Sequence, residues 1–462
     1  MILALKNIYT SYYIYQGAFQ ETVMKSDMLS ISEVHFPGVA ICNLNSFKKS
    51  ALVKMANWMK VNANTTFKET YNSLRILTSL RRFAFVPKKQ KKLLSLILIK
   101  NGQYRNITRI VKELSHSCDD MLKVCKFNRI IFPCKSLFKF GIVPGSHGCC
   151  LSKNTYIAGH SSGSSIWKAE SSGLVTGLYL SLDLEINEYV PQARLPANGA
   201  EIMIFDHRSH PFKTSSFGVT SILAAYKEAT FVSIDVSVES NNYSIGDDGS
   251  VCRRYMRSPT KQMPYSTSEC LFRCMMAKLH IPCACSFYQH DFKGEYAECA
   301  IRGLECLREQ RLKIEAEFDG VDQTPSLMTQ CKCPLACDSL LYISTPSSIA
   351  LDQSSETLNE THVYIFFENP FVNLFVREPI FTAEKLFLQI IGQCSLFFGG
   401  SLASIVELIY FITLRLLCEL YTNQKPRKEM EKGERRRLDM EEICEGTKEG
   451  KIYWNEILAN ID

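Results

Sequence analysis

The stretch YSTSECLFRC occupies residues 265–274, and the stretch CKCPLAC occupies residues 331–337. The first contains Cys270 and Cys274, and the second contains Cys333 and Cys337, so each has one pair of cysteines four residues apart. Helical periodicity around the first stretch predicts a helix over 267–280, on which its two cysteines share a face. Two segments with matching cysteine intervals can be joined side by side by successive disulfides, so we expect a stapled element here.

The two stretches belong to a longer series of cysteines. If every member is paired, each bridge stabilises by about 2–4 kcal/mol, and the whole region becomes rigid. Spacing alone leaves the pairing open. The alternative is a zinc site, but the series lacks paired C-x2-C motifs followed by two histidines. The series has ten members: Cys252, Cys270, Cys274, Cys283, Cys285, Cys299, Cys306, Cys331, Cys333 and Cys337.

Cysteine usage over the whole chain indicates an oxidising compartment. Of the 19 cysteines in 462 residues, an even set lies between Cys42 and Cys337, and such a set predicts pairing. The four N-x-S/T glycosylation sequons lie in the same part of the chain, at Asn64, Asn106, Asn242 and Asn359. The net charge of +6 is too small to indicate a nucleic-acid-binding protein.

An apolar stretch near the C-terminus predicts a membrane span. Residues 395–414 carry a single charge, that of Glu407, and twenty residues of helix reach about 30 Å, the thickness of a bilayer core. A cluster of Lys and Arg follows, which places the C-terminus in the cytosol. The alternative is a buried helix of a soluble protein, but such helices rarely run this long without a polar face.

Four zones result from this division of the chain. Residues 1–19 form an apolar and aromatic lead, 20–390 a cysteine-rich extracellular segment, 391–418 the membrane span and 419–462 a charged cytoplasmic tail.

The extracellular segment is predicted to mix strands with helices, which is the α+β class. Runs rich in β-branched and aromatic residues predict strands. A basic run that includes Lys88, Lys89, Lys91 and Lys92 precedes LLSLILI, and we interpret it as a solvated face beside a buried core. The predicted strands are 177–186, 200–207, 229–239 and 361–368.

The motifs in the sequence also resemble those of a known family. FPGVAICNLNSF (36–47) resembles the FPxVTxCNxN signature that follows the first membrane helix of the degenerin/epithelial sodium channel family. GGSLASIVELIYF (399–411) resembles that family's second membrane helix, and the ten-cysteine series is similar to its disulfide-stapled thumb. The pattern from Cys118 to Cys150 resembles the insect pickpocket branch. The resemblance covers almost all of residues 30–420.

The resemblance implies an acid-sensing-channel-like fold. Each subunit of a trimer has two membrane helices and a hand-like extracellular domain with a β palm and a helical thumb. Cys42 is expected to pair with Cys149 or Cys150, of which Cys150 is taken into the disulfide set, and Cys118 with the one left over. The other implied bridges are Cys252–Cys337, Cys270–Cys333, Cys274–Cys331, Cys283–Cys306, Cys285–Cys299 and Cys125–Cys134.

The resemblance also assigns roles within the second membrane helix. Gly399, Gly400 and Ser401 are expected to form a constriction and selectivity element. Ser404 and Glu407 continue the helical stripe that begins at Gly400, since the intervals are four and three residues. Three copies of Glu407 around an axis would make a ring of carboxylates that attracts cations. The alternative is a Gly-rich packing contact in which Glu407 bonds to a neighbouring helix.

The function implied by the resemblance is a subunit of an amiloride-sensitive, sodium-selective channel of the plasma membrane, opened by ligand, pH or force. Its partners are sodium ions, further subunits in a homo- or heterotrimer and the lipid bilayer, with no nucleic acid. The family's cytosolic N-terminus is absent from this sequence, so residues 1–19 are expected to be the outer end of the first membrane helix of an N-terminally truncated subunit. The alternatives are a single-pass disulfide-rich receptor or adhesion protein, and a non-conducting modulatory subunit.

No enzyme is predicted. The sequence has no G-x-S-x-G elbow, no P-loop and no H-E-x-x-H motif. Its nine histidines are scattered and predict no metal site. No cofactor is expected.

Overall fold

The chain folds into two compact units, Met1–Glu21 with Pro379–Asp462, and Thr22–Glu378. The computed structural model describes residues 2–17, 20–78, 88–102, 107–143, 148–155, 166–191, 197–211, 218–241, 252–256, 264–286, 297, 299–300, 303–318, 331–351, 360–380, 382–398 and 402–417.

The chain contains both helices and strands, in groups that follow one another along the sequence. The helices are α1 (Ile2–Gln16), α2 (Lys49–Ala63), α3 (Phe67–Arg75), α4 (Lys88–Lys100), α5 (Ile107–Leu114), α6 (Cys118–Met121), α7 (Cys134–Leu137), α8 (Thr267–Cys283), α9 (Gly303–Phe318), α10 (Ala383–Phe398) and α11 (Leu402–Tyr410). The strands are β1 (Gln20–Ser30), β2 (Gly38–Asn43), β3 (Leu122–Phe127), β4 (Ile130–Phe132), β5 (Phe138–Ile142), β6 (Gly148–Ser152), β7 (Leu178–Asp183), β8 (Gly199–Phe205), β9 (Thr220–Ala225), β10 (Glu228–Asn241), β11 (Cys252–Arg253), β12 (Leu335–Ala336), β13 (Asp338–Ala350), β14 (Glu360–Phe367) and β15 (Phe371–Pro379). Short 3₁₀ turns cover Ile31–Glu33 and Ile186–Glu188, and a π-helical turn covers Phe411–Arg415.

The sequence-based assignments agree with these elements. The four predicted strands correspond to β7, β8, β10 and β14, and the helix predicted over 267–280 is α8. The prediction of a mixed, disulfide-rich α+β fold is therefore confirmed.

Two sheets dominate the larger unit. One has five antiparallel strands in the order β5-β6-β2-β8-β9. The other has eight strands in the order β1-β15-β10-β14-β7-β3-β4, with β13 paired to β10. A two-stranded parallel pair, β11 with β12, stands apart from both.

Strand β10 organises the eight-stranded sheet. Along one edge it pairs antiparallel with β13 from Glu228 to Ser240. Along the other edge, its first half pairs with β14 and its second half with β15, both parallel. Val232, Ile234 and Val236 alternate along β10 and are all buried, as expected for a strand with one face on the core.

A common core lies between the two sheets, and its central residue comes from the FPGVAICN motif. Phe36 is fully buried and makes edge-to-face contacts with Phe127 at 5.1 Å and Phe367 at 5.4 Å between ring centroids. Gly38 leaves room for the ring of Phe205, since a Cβ at this position would lie 2.6 Å from a ring carbon. The motif is therefore explained by packing as well as by family resemblance.

A second core is helical and joins α2, α3, α4, α5, α8 and α9. In α5, Ile107, Ile110, Val111 and Leu114 follow the spacing of one helix face, and all four are buried.

Helix α4 confirms the interpretation of the basic run, with one difference. Lys88, Lys89 and Lys92 are exposed, whereas Lys91 is half-buried and forms an ion pair with Glu305 of α9. The buried apolar residues that follow are Leu94, Ile97 and Leu98, while Leu96 and Ile99 are exposed.

Eight disulfides staple the larger unit. Five of them join α8 and its flanking segments in the nested order that the family resemblance implies: Cys252–Cys337, Cys270–Cys333, Cys274–Cys331, Cys283–Cys306 and Cys285–Cys299. The short bridge Cys125–Cys134 is also present, and it closes the β3–β4 hairpin against α7.

The remaining two bridges are Cys42–Cys149 and Cys118–Cys150. The assignment of Cys150 to Cys42 is therefore wrong, and strand register gives the reason. Cys42 of β2 lies directly opposite Cys149 of β6. Because successive side chains point to opposite faces of a sheet, Cys150 faces the core between the sheets, where Cys118 also packs.

We predict that substituting Cys118 or Cys42 will free a different one of the two adjacent thiols, Cys149 and Cys150. In Cys118→Ala, the alkylatable thiol should be that of Cys150, and in Cys42→Ala it should be that of Cys149. Fragmentation mass spectrometry of the alkylated 148–153 peptide distinguishes the two sites. Alkylation of Cys149 in the Cys118 variant would contradict the register.

Candidate functional site

Helix α11 carries the described part of the predicted pore site. Ser404 and Glu407 both lie on this helix, three residues apart, and both are exposed in the single chain. Apolar side chains next to Glu407 are exposed as well, with 60% of Leu408 and 45% of Val406 accessible. A lone carboxylate therefore stands among uncovered apolar side chains.

The other predicted pore residues, Gly399, Gly400 and Ser401, lie outside the described residues. After Glu407 the helix widens into a π-helical turn over Phe411–Arg415, where the hydroxyl of Thr413 donates to the carbonyl of Ile409 at 2.5 Å. Such turns are frequently found at functional sites.

Helices α1 and α10 belong to the same compact unit as α11, and α1 packs against α10. Exposed tyrosines at positions 9, 12 and 13 follow one another along α1. Tyrosines are enriched where a membrane meets water. Within the described segments, a helix with both the length and the apolarity needed to cross a bilayer was not found.

Only one of the four predicted glycosylation sites falls on described residues. Asn64 is exposed and ends α2 in the left-handed conformation, with φ of 50°, a conformation that Asn tolerates better than most residues. The other three, Asn106, Asn242 and Asn359, lie outside the described residues.

Buried charge clusters in the larger unit are the features that sequence reasoning missed. The first joins the base of α8 to the segment after β8. Glu269, 2% exposed, accepts hydrogen bonds from Nδ1 of His210 at 2.7 Å and from Nε of Arg273 at 2.7 Å. Burial alone would raise the pKa of Glu269, but His210 and Arg273 outweigh it and hold the pKa below its usual range.

Further contacts strengthen this junction. The hydroxyls of Ser209 and Ser266 hydrogen-bond at 2.6 Å, and the ring of His210 stacks on Phe272 at 4.7 Å. The phenol of Tyr265 donates to the carbonyl of Pro334 at 2.8 Å. The disulfide-stapled helix is thus held at its base by polar as well as covalent links.

A second cluster follows β8 directly. The guanidinium of Arg208 binds both carboxylate oxygens of Asp206 and donates from Nη1 to the carbonyl of Asp338 at 2.7 Å. Burial opposes ionisation of Asp206, but Arg208 holds its pKa below the usual range. This planar two-point contact links the end of β8 to the start of β13.

Two histidines lie beside this ion pair. The rings of His35 and His207 meet edge to face, with centroids 4.9 Å apart. Burial lowers the pKa of His207 to about 4 and also lowers that of His35. Both line a cavity of about 500 Å³ beside β1, β10, β13 and β15.

A third cluster surrounds Lys48, at the start of α2. Its ammonium contacts Asp120 at 2.6 Å and Glu185 at 2.8 Å. Glu185 also meets Nδ1 of the buried His116 at 2.6 Å. Burial opposes ionisation of Glu185, but His116 and Lys48 hold its pKa below the usual range.

These clusters unite residues far apart in the sequence, such as His35 and His207. The only local signal was the run DHRSH (206–210) at the end of the strand predicted over 200–207. Scattered histidines gave no reason to connect it with residue 35 or 269.

Comparison with known proteins agrees with the motifs. A family model described as amiloride-sensitive sodium channel matches residues 1–411. The sodium channel protein Nach of Drosophila ananassae is 24% identical, over 88% of this chain and 78% of its own length. Acid-sensing ion channel 4-B of Danio rerio is 24% identical, over 89% of this chain and 69% of its own length.

More distant matches follow. The epithelial sodium channel subunit alpha of Gallus gallus is 24% identical, over 54% of this chain and 41% of its own length. Among solved structures, a proton-activated chloride channel covers 89% of this chain and 94% of its own, with 5% identity and a TM-score of 0.27, which is too low to support an argument.

We predict that Glu269→Gln destabilises the protein more than Arg273→Ala. The first change leaves His210 and Arg273 facing a neutral amide and should cost about 3 kcal/mol; the second removes a side chain that is 41% exposed and should cost about 1 kcal/mol or less. The free energy of unfolding of the detergent-solubilised chain measures both. Glu368→Gln, at an exposed position, is the matched control.

The cost of Glu269→Gln should also depend on pH. Since the folded pKa of Glu269 lies below its unfolded value of 4.5, its stabilisation is complete above pH 4.5 and is lost as pH falls through the folded pKa. The gap between parent and variant should therefore narrow below pH 4.5. A gap that stays constant in acid would contradict an ionised Glu269.

Proposed function

The chain belongs to the amiloride-sensitive sodium channel family, and from that premise we propose that it is a subunit of a trimeric, sodium-selective cation channel of the plasma membrane. The observation that carries the proposal is Glu407, an exposed carboxylate and the single charged side chain of helix α11.

Desolvation decides which surroundings suit this carboxylate. An ionised acid in contact with lipid is costly, so an acid at this depth faces protein or water. The apolar side chains around Glu407 are uncovered in the single chain, and they suit lipid or neighbouring helices. Three copies of α11 around a water-filled axis would satisfy both requirements, with Glu407 inward and the apolar residues outward.

Ion preference follows from the charge and from the chain just before the helix. A ring of carboxylates concentrates cations and repels anions. Gly399, Gly400 and Ser401 would allow close backbone approach and offer carbonyl and hydroxyl oxygens to a sodium ion.

Chain connectivity supports gating by movement of the larger unit. Strand β15 ends at Pro379 and α10 begins at Ala383, while α1 ends at Gln16 and β1 begins at Gln20. The strands β1 and β15 are neighbours in one sheet. A stimulus that shifts this sheet would therefore pull on both helices through short connections. The stimulus itself would be a ligand, a proton or force.

We predict that Glu407→Gln and Ser401→Ala change the sodium current or the ratio of sodium to potassium permeability. Removing the charge weakens cation attraction at the ring, so Glu407→Gln should lower conductance, and Glu407→Asp should lie between it and the parent. Patch clamp measures both quantities, with the chain expressed alone or beside an intact family member.

The matched control is Glu384→Gln, because Glu384 is an exposed acid in the first turn of α10 rather than in α11. Surface biotinylation confirms equal delivery of each variant. If the sodium current and the permeability ratio are unchanged in both Glu407→Gln and Ser401→Ala at equal surface expression, the proposal is contradicted and a receptor or adhesion protein is favoured.

A further inference from the structure

Positive charge is concentrated in the part of the larger unit that forms helices α2 to α5. Residues 49–114 contain fifteen Lys and Arg against two acids, Glu69 and Glu113, which gives a net charge of +13. The whole chain has a net charge of +6, so the remainder is negative. A field of one sign attracts partners of the opposite sign. The proposed attraction of sodium ions to Glu407 does not account for it.

The densest group of these charges lies on helix α4, in the run KKQKK. Lys92 is four residues from Lys88 and three from Lys89, so the three side chains share one face of the helix. All three are exposed, whereas the buried apolar residues of α4 occupy the opposite face. We call these three lysines the basic face.

The charges of the basic face act together at physiological salt. Four residues of helix rise about 6 Å along the axis, and the Debye length at physiological ionic strength is about 8 Å. An anion on this face therefore meets all three ammonium groups within the screening distance.

Two acids on neighbouring helices feel the basic face, but both already have other partners. Glu69 of α3 accepts hydrogen bonds from the hydroxyl and the backbone N–H of the N-cap residue, at 2.7 and 3.0 Å. Glu305 of α9 forms its ion pair with Lys91. The pKa of each carboxyl is lowered chiefly by these contacts, and further by Lys89 for Glu69 and by Lys88 for Glu305. The basic face thus keeps positive charge for an external anion.

The covalent structure of the larger unit indicates where such an anion is met. The unit that contains α4 also contains eight disulfides, which persist in oxidising, extracellular surroundings. The anionic lipids that give a plasma membrane its negative surface potential lie in the cytoplasmic leaflet. Short runs rich in Lys and Arg bind nucleic acids or heparin-like polysaccharides, and outside the cell the second class is the one available.

We propose that the basic face of α4 binds sulfated polysaccharide chains outside the cell. Lysine presents a flexible point charge rather than the planar fork of arginine. Three such charges on a convex helix face suit a row of sulfate groups along an extended polymer better than a single enclosed anion. Binding is electrostatic and weakens as salt rises, because it releases counterions from the polyanion. The remaining positive charge of residues 49–114 steers the polymer towards this face.

The competing explanation is a solvated face whose lysines only keep the protein soluble. The test variant carries glutamine at all three positions: Lys88→Gln, Lys89→Gln and Lys92→Gln. The matched control removes the same charge from exposed lysines outside residues 49–114: Lys123→Gln, Lys168→Gln and Lys332→Gln. An arginine variant of the basic face keeps its charge: Lys88→Arg, Lys89→Arg and Lys92→Arg.

The test is binding of the purified full chain, in phosphatidylcholine nanodiscs, to immobilised heparin at neutral pH. We expect saturable binding whose log affinity falls linearly with log salt. The glutamine variant should bind at least about tenfold more weakly and with a smaller salt slope, since each lysine near an anionic surface contributes several-fold in affinity. The control variant should bind as the parent does, and the arginine variant at least as tightly. Desulfated heparin should bind at least about tenfold more weakly than heparin.

A second measurement uses the parent chain alone and does not depend on how a variant folds. Heparin should protect the lysines of the basic face from acetylation by a water-soluble reagent, read by mass spectrometry, without protecting Lys168. Equal affinity in the glutamine variant and the parent, an equal loss in the control variant, or no protection at saturating heparin would overturn the proposal.

A membrane is the other surface that a basic helix face could meet. Vesicles of equal parts phosphatidylcholine and phosphatidylserine supply that comparison. Tighter binding of the nanodisc-held chain to these vesicles than to heparin would overturn the proposal and assign the basic face to a lipid surface. None of these readouts involves ion currents, so failure of the proposed channel function would leave the test unchanged.

Discussion

The structure depends above all on covalent closure of its larger unit. The long segment that connects β10 to β13 contains α8 and α9. Five nested disulfides link residues within this segment to one another. The outermost bridge, Cys252–Cys337, joins residues 85 apart and lies immediately before β13. A disulfide that closes a loop of this length lowers the conformational entropy of the unfolded chain. The resulting stabilisation of the folded state is about 4.5 kcal/mol. The bridges thus add covalent restraint to the helical core in which α8 and α9 are packed, and Cys283–Cys306 joins the two helices directly.

Polar contacts then fix where the stapled element meets the sheets. Glu269, Asp206 and Glu185 each remain ionised while largely withdrawn from water, because each meets at least two donors. A buried charge with one missing partner is costly, whereas a fully satisfied cluster tolerates only one arrangement of its neighbours. Apolar packing is non-directional and permits small shifts between neighbouring elements. The directional hydrogen bonds of these clusters restrict such shifts. The clusters lie at the ends of strands and helices: Asp206 follows β8, and Glu269 lies in the first turn of α8.

The carboxylate of α11 presents the opposite situation. Glu407 is the single charged side chain of α11, its apolar neighbours Val406 and Leu408 are exposed, and no basic residue of the helix neutralises it. An ionised carboxylate is costly where it faces lipid and is tolerated where it faces water or another protein helix. This is the physical reason for proposing an assembly around an axis rather than a solitary anchor.

Local features of this protein were determined by the sequence itself. The alternation of Val232, Ile234 and Val236 predicts a strand because side chains alternate across a sheet, and the cysteine spacing in α8 predicts a shared helical face. Glu407 is recognisable from the sequence alone, because it is the single charge in residues 395–414. The nested disulfide pattern required family resemblance, since spacing admits many pairings.

Only the tertiary structure decided between neighbours. Cys149 and Cys150 are adjacent in sequence, yet the register of β2 with β6 sends one to Cys42 and the other to Cys118. In the same way, His35 meets His207, and Glu269 meets His210, through contacts made between separate elements. Such choices depend on which faces pack together, and packing between distant segments leaves no periodic trace in either one.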